Sequence, residues 1–165
     1  MTRLSLDALR DFCPPRGWQA DLIGLPYDFH GFDRTGLSCW GLACLVWMEQ
    51  AGVVLPTFAD RLPADPTFST DRVRAVNALI AEQVSIFRPL DVPRPLCLVQ
   101  MRNGRNLTHV GLYAWGGRVV HADEEANGGA GAVVQGDWED LKACITGFFW
   151  PSDALFRASI SESRS

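Results

Sequence analysis

The sequence predicts an α+β domain in which helices come first along the chain and antiparallel strands follow. Apolar residues recur at helical spacing in residues 39–51 and 71–86, in the first part of the chain. The second part instead holds short apolar segments separated by glycine and proline, which is typical of strands. With 165 residues, 47% of them hydrophobic and 21% charged, the chain is long enough for one domain with a buried core. We expect that domain to cover residues 1–157 and residues 158–165 to be a flexible tail.

The first predicted elements lead to a central helix. Residues 4–12 predict a short amphipathic helix that stops at two prolines, and residues 18–36 predict a loop rich in glycine. The helix over residues 39–51 begins after Ser38, whose hydroxyl can cap its N-terminus, and it ends at Gly52.

A second helix is predicted over residues 71–86, with Ser69 or Thr70 as its cap. Residues 88–95, RPLDVPRP, are too rich in proline for regular structure, so we expect an irregular connection there. It delivers the chain into a short strand at residues 96–101.

Three further strands are predicted in the last part of the chain. Residues 107–115 and 118–122 form two strands joined at a pair of glycines. Residues 123–132, DEEANGGAGA, predict a mobile loop, and residues 144–150 predict a last strand that Pro151 ends.

Composition and charge exclude several classes of protein. The formal net charge of −4 and the pI of about 5.3 argue against a large nucleic-acid-binding surface. No apolar run is long enough to span a bilayer, and residues 1–12 lack the apolar stretch of a signal peptide, so we expect synthesis in the cytoplasm without membrane insertion. The five cysteines are irregularly spaced without a C-x-x-C pair, which argues against a disulfide framework and a zinc knuckle.

Cys39 is the cysteine best placed to react. It stands at the start of the predicted helix over residues 39–51, beside unpaired backbone N–H groups and the positive end of the helix dipole. This setting stabilises a thiolate, so we expect a lowered pKa for Cys39. Cys44, Cys97 and Cys144 lie within apolar segments instead. The alternative interpretation is that Cys39 is a small buried apolar residue.

His109 and His121 flank the glycine pair, and the length of the loop between the strands decides where they point. A loop of two residues would place them on opposite faces of the hairpin, whereas a loop of three residues, 115–117, would place them on one face. The three-residue loop separates apolar from polar residues better. It gathers an apolar set on the other face (Val110, Leu112, Ala114, Val120 and Ala122). The alternative is a pair of unrelated surface histidines.

These residues give the chain a resemblance to a known family. The stretches DLIGLPYDFHGFDRTGLSCWGLACLVWMEQAGVVLP at 21–56, THVGLYAWGGRVVHA at 108–122 and ITGFFWP at 145–151 resemble the NlpC-type cell-wall peptidases of the papain superfamily. The resemblance is to the branch found in phage tails and in bacterial gene transfer agents. It implies a papain-like fold, with the nucleophile at a helix N-terminus packed on a small antiparallel sheet.

The resemblance also implies a role for each site residue. Cys39 would be the nucleophile, His109 the general base and acid, and His121 the residue that orients His109. Tyr27 would reach the active site, although it is equally explained as a turn residue held by packing. Ser38 stands where the family usually has Asp, and residues 95–96, Pro-Leu, stand where it usually has Gly-Asp. Residues 57–88 have no counterpart that we could assign.

The implied activity is hydrolysis of the peptide stem of peptidoglycan, without a metal or organic cofactor. The implied setting is the tail of a phage or gene transfer agent particle, with other tail proteins as partners and the peptidoglycan stem as substrate. Two rival hypotheses remain: a structural tail or hub protein that keeps the fold without catalysis, and another thiol chemistry, such as acyl transfer, on a substrate outside the wall. A metal site formed by Cys39, His109 and His121 would fit the residue types alone.

Overall fold

The computed structural model describes residues 4–65, 67, 69–103 and 106–162, and it confirms the α+β fold. The helices are α1 (Leu6–Arg10), α2 (Cys39–Ala51), α3 (Thr70–Ser85), α4 (Ala126–Gly129), α5 (Trp138–Leu141) and α6 (Asp153–Glu162), with a 3₁₀ turn at Ala59–Arg61. The strands are β1 (Phe32–Asp33), β2 (Gly36–Leu37), β3 (Phe87–Leu90), β4 (Leu98–Asn103), β5 (Asn106–Ala114), β6 (Arg118–Asp123), β7 (Ala132–Asp137) and β8 (Ile145–Pro151).

Six strands form one antiparallel sheet in the order β3-β8-β4-β5-β6-β7, and β1 and β2 form a small hairpin apart from it. The β5–β6 pairing joins Ala114 to Arg118 and Leu112 to Val120, so the three-residue loop is the correct alternative. Gly117 closes this loop with φ 75°, a left-handed conformation that glycine adopts without strain. The predicted apolar face of the hairpin is wholly buried (Val110, Leu112, Ala114, Val120 and Ala122).

Helix α2 is the centre of the core. It begins and ends at the predicted residues, with Ser38 as its N-cap and Gly52 in the left-handed conformation at its C-cap. Most of its side chains are buried all round the helix rather than along one stripe, so the helix passes through the core. Trp47, which is 0% exposed, meets Trp150 of β8 edge to face with ring centroids 4.9 Å apart. The helix is thereby fixed against the sheet.

Two segments differ from the sequence-based expectation. Within residues 88–95, Arg88, Pro89 and Leu90 belong to strand β3, because the sheet edge tolerates a proline that has no N–H to donate. Residues 123–132 are more ordered than predicted: they end β6, form the kinked turn α4 and begin β7. Strand β7 itself was not predicted, because its residues, AVVQGD, show no regular alternation of apolar and polar side chains.

Helix α6 continues past residue 157, where we expected the domain to end. Ser159 is only 4% exposed, and its hydroxyl accepts a hydrogen bond of 2.8 Å from the backbone N–H of Val54. Residues 163–165 of the expected tail lie outside the described residues. No helix among the described residues has the length and apolar character needed to cross a bilayer.

Candidate active site

One cavity of about 510 Å³ brings together all five residues that the sequence singled out. Cys39, His109, His121, Tyr27 and Ser38 all line it, and we call it the Cys39 cavity. It is bounded by the start of α2, by β4, β5 and β6, and by one side of α3.

Ser38 fixes the start of α2 and therefore the position of the thiol. Its hydroxyl oxygen accepts a hydrogen bond of 2.9 Å from the N–H of Gly41 and donates one of 3.1 Å to the carbonyl oxygen of Gly31. The helix and the loop approach so closely that a Cβ on Gly41 would lie 1.9 Å from that carbonyl oxygen. Only glycine fits there, so Gly31, Ser38 and Gly41 together hold Cys39 at the edge of the cavity.

The electrostatic setting of Cys39 corrects the sequence-based expectation. Burial raises the pKa of the thiol, and this effect outweighs the backbone N–H groups of Val110, Trp40 and Cys39 itself, which lower it. The charge of Glu124 raises the pKa further. The helix start therefore does not by itself make Cys39 acidic. Because the backbone N–H of Val110 acts on the thiol, Cys39 lies against Val110, the residue that follows His109 on β5.

The two histidines meet as the three-residue loop predicted. Nε2 of His109 lies 2.8 Å from Nδ1 of His121, with the rings edge to face. This contact leaves Nδ1 of His109 as the nitrogen that can accept a proton from a thiol. Nε2 of His109 then carries the hydrogen and donates it to His121. No hydrogen bond joins the side chains of Cys39 and His109, both of which the structure describes, and such contacts often tighten only when substrate binds.

Gly111 makes room for this pair on the strand. A Cβ at this position would lie 2.9 Å from the carbonyl oxygen of Val120, 3.1 Å from Cβ of His121 and 3.1 Å from Cε of Met101. A larger residue would push β6 and its histidine away from β5.

Both imidazoles are neutral at physiological pH. Burial lowers the pKa of His109, the neighbouring His121 lowers it as well, and the charge of Asp123 acts in the opposite direction; together they bring the pKa to about 3. Burial also lowers the pKa of His121. Because the pKa of Cys39 is raised, the resting site holds a neutral thiol and a neutral imidazole, not the thiolate that the helix start suggested.

Tyr27 lies beside the nucleophile and is also held by packing. Its ring packs on Gly131, where a Cβ would come within 2.6 Å of Cβ of Tyr27, and its N–H bonds to the Gly131 carbonyl at 3.3 Å. Burial raises the pKa of its hydroxyl, and the negative charge of a Cys39 thiolate adds to this effect. The hydroxyl therefore stays protonated and can donate a hydrogen bond into the Cys39 cavity.

Helix α3, in the segment that had no assigned role, forms an apolar side of the Cys39 cavity. Its spacing predicted a buried face, but only the fold places that face over β5 (Val73, Val76, Leu79 and Ile80 line the cavity). At the N-terminal end of α3, Nη2 of Arg72 lies 2.6 Å from Oε2 of Glu124, and its guanidinium stacks 4.4 Å from the ring centre of Phe29. These contacts tie α3 to the segment after β6 and to the loop before α2. No pattern in the sequence predicted that Arg72 contacts Glu124 and Phe29.

No group of three or more His, Cys, Asp or Glu side chains within the described ranges is arranged to hold a metal ion. The groups of the Cys39 cavity that could take part in covalent chemistry are a thiol, two imidazoles, a phenol and backbone amides. Such a set supports nucleophilic catalysis at a carbonyl carbon, with the thiol as attacking group and an imidazole as proton carrier.

Residues 24–140 match the family model described as the NlpC/P60 family. The chain is similar in fold to the NlpC/p60 domain of the peptidoglycan hydrolase SagA, with 15% identity and a TM-score of 0.50 over 88% of this chain and 98% of that one. It is also similar to the P60 domain of antigen MAP1204 from M. avium subspecies paratuberculosis, with 19% identity and a TM-score of 0.50 over 88% and 93% of the two chains.

A third similar structure is an NlpC/P60 family protein from Bacillus cereus, with 15% identity and a TM-score of 0.52. That match covers 89% of this chain but 40% of the other, which is a longer protein. At these identities the similarity concerns the fold. No curated protein matches the chain in sequence.

Proposed function

Because the chain belongs to the NlpC/P60 family, whose model matches well over half of it, we propose that it is a cysteine peptidase that hydrolyses peptide-stem bonds of peptidoglycan. The observation that carries the proposal is the hydrogen bond of 2.8 Å between His109 and His121, in the same cavity as the helix-start Cys39. In the proposed mechanism these three side chains serve as nucleophile, base and orienting residue, and their shared cavity supports that assignment.

Because the thiol of Cys39 and the imidazole of His109 are both neutral at rest, the first step of the proposed reaction includes a proton transfer between them. Nδ1 of His109 takes the proton from Sγ of Cys39 as the sulfur attacks the peptide carbonyl carbon, and Nε2–H of His109 donates to Nδ1 of His121 throughout. The free backbone N–H of Cys39 and the hydroxyl of Tyr27 are the donors available to the oxygen of the tetrahedral intermediate.

The intermediate then collapses, and the C–N bond breaks as His109 gives its proton to the leaving amine. A thioester to Cys39 remains. Water attacks this thioester with His109 again as base, which releases the carboxylate product and restores the neutral thiol.

Digestion of purified peptidoglycan tests this activity. We expect the wild type to release soluble stem fragments, which mass spectrometry identifies, and Cys39→Ala to release none. Cys13→Ala is the matched control, because Cys13 is exposed and lies outside the Cys39 cavity. Digestion that survives Cys39→Ala would exclude the cysteine mechanism.

We also propose that the chain is a tail component of a phage or gene transfer agent particle, made in the bacterial cytoplasm and carried to the wall by the particle. The support is the resemblance of residues 21–56, 108–122 and 145–151 to that branch. Purified particles should contain the chain in their tail fraction, and its absence from intact particles would exclude this role.

A structural tail protein without activity is the alternative, and the raised pKa of Cys39 favours it. The digestion separates the two functions. If a folded wild type releases no fragments while particles contain the chain, the structural role is the correct one.

A further inference from the structure

Arg102 is an exposed arginine that lines the Cys39 cavity without a protein partner. Within residues 4–65, 67, 69–103 and 106–162, no hydrogen bond or ion pair engages its guanidinium. Most other arginines of the described chain pair with a carboxylate (Arg10, Arg34, Arg61, Arg72, Arg74 and Arg118). Arg102 therefore offers its full set of donors to whatever enters the cavity.

A local irregularity of the sheet places Arg102 there. Successive residues of a strand normally point to opposite faces, yet both Met101 and Arg102 line the Cys39 cavity. The pairing of β4 with β5 shifts register between these two residues, immediately after Met101 pairs with His109. The pairing of β4 with β8 shifts one residue earlier. Bulges of this kind redirect a side chain and are common next to active sites.

The charges of the cavity are divided by the strand that carries the base. In the order β4-β5-β6, Arg102 lies on one side of His109, while the carboxylates that line the cavity lie at the end of β6 on the other side (Asp123, Glu124 and Glu125). Arg72 cannot play the same part, because its guanidinium already pairs with Glu124. An anionic group of a bound molecule is therefore attracted to the β4 side and repelled from the β6 side.

We propose that Arg102 binds a free carboxylate of the substrate next to the scissile bond, so that the site prefers stem peptides carrying an α-carboxylate there over peptides in which that group is an amide. This inference rests on the proposed function. A guanidinium matches a carboxylate with two parallel hydrogen bonds, whereas a carboxamide is neutral and accepts at a single oxygen.

Two synthetic stem peptides that differ only in this carboxylate or carboxamide test the preference in hydrolysis. We expect the wild type to favour the carboxylate peptide by about 10- to 100-fold in kcat/KM, the range of one charge-assisted contact. Arg102→Gln should bring the ratio close to one, through KM more than kcat, and Arg102→Lys should restore part of it. Arg88→Gln is the matched control, because Arg88 is an exposed arginine on β3 outside the cavity. A preference that persists in Arg102→Gln would overturn the inference.

Binding separates failure of this inference from failure of the proposed function. The Cys39→Ala protein, alone and combined with Arg102→Gln, is titrated with the same two uncut peptides in a calorimeter. Tighter binding of the carboxylate peptide that depends on Arg102 supports the inference, even if the wild type cuts neither peptide and the peptidase function fails. Equal affinities, or no binding of either peptide, overturn it, even if the wild type digests peptidoglycan.

Discussion

Acid should destabilise this protein through His109. In the unfolded chain this imidazole gains its proton near pH 6.5, whereas in the folded protein burial lowers its pKa to about 3. Between these values the unfolded state binds more protons than the folded state, so stability is complete above about pH 6.5 and falls as the pH decreases towards 3. Within this interval each unit of decrease in pH lowers the free energy of unfolding by about 1.4 kcal/mol. Lowering the pH from about 7 to about 5 therefore lowers it by about 2 kcal/mol.

Urea denaturation followed by tryptophan fluorescence, near pH 7 and near pH 5, measures this loss. The variant His109→Gln has no imidazole to protonate and should lose about 2 kcal/mol less than the wild type over the same interval. The matched control is Val92→Gln, since Val92 is 73% exposed, lies outside the Cys39 cavity and carries no ionisable group. Its free energy of unfolding should fall by as much as that of the wild type over the same interval. Equal losses in the wild type and His109→Gln would refute the reasoning.

Three substitutions test other parts of the site. Ser38→Ala removes a buried cap that also donates to a loop carbonyl. Urea denaturation should show that the free energy of unfolding falls by about 2 kcal/mol, against about 1 kcal/mol for Ser69→Ala, which removes an exposed cap. Equal decreases would show that the hydrogen bond from Ser38 to the loop carbonyl does not stabilise the fold. Gly111→Ala crowds the histidine pair and should slow peptidoglycan digestion by about 100-fold. The control is Gly52→Ala at the end of α2, outside the Cys39 cavity, where the positive φ strains an alanine but the space around its Cβ is open; it should lower stability and leave the rate of the folded protein unaffected. Tyr27→Phe should lower kcat by about 100-fold without changing the free energy of unfolding, and an unchanged kcat would leave Tyr27 a packing role alone.

The parts of the structure that depend on local pattern could be predicted from the sequence. The bounds of α2 follow from Ser38 and Gly52, and the meeting of His109 with His121 follows from strand alternation once the loop has three residues. Strand β7 and the strand character of Pro89 could not be predicted in this way, because they depend on which strands lie beside them.

The electrostatics of the site could not be predicted either. The start of α2 indicated a lowered pKa for Cys39, but burial decides the direction, and burial depends on how β5 and α3 close over the thiol. The cavity position of Arg102 is of the same kind. It depends on a register shift between β4 and β5 that no apolar period in the sequence reveals.

Whether the number of residues in the loop at 115–117 is odd or even decides which face of β6 carries His121. Because side chains alternate along β6, removing or adding one residue in this turn would exchange the two faces of the strand, so that His121 would enter the core and Val120 would face the cavity. A change of two residues would keep both in place. Natural variation in the length of this turn should therefore come in even steps wherever catalysis is retained, and an odd step in a related chain marks a lineage that has given up the histidine pair.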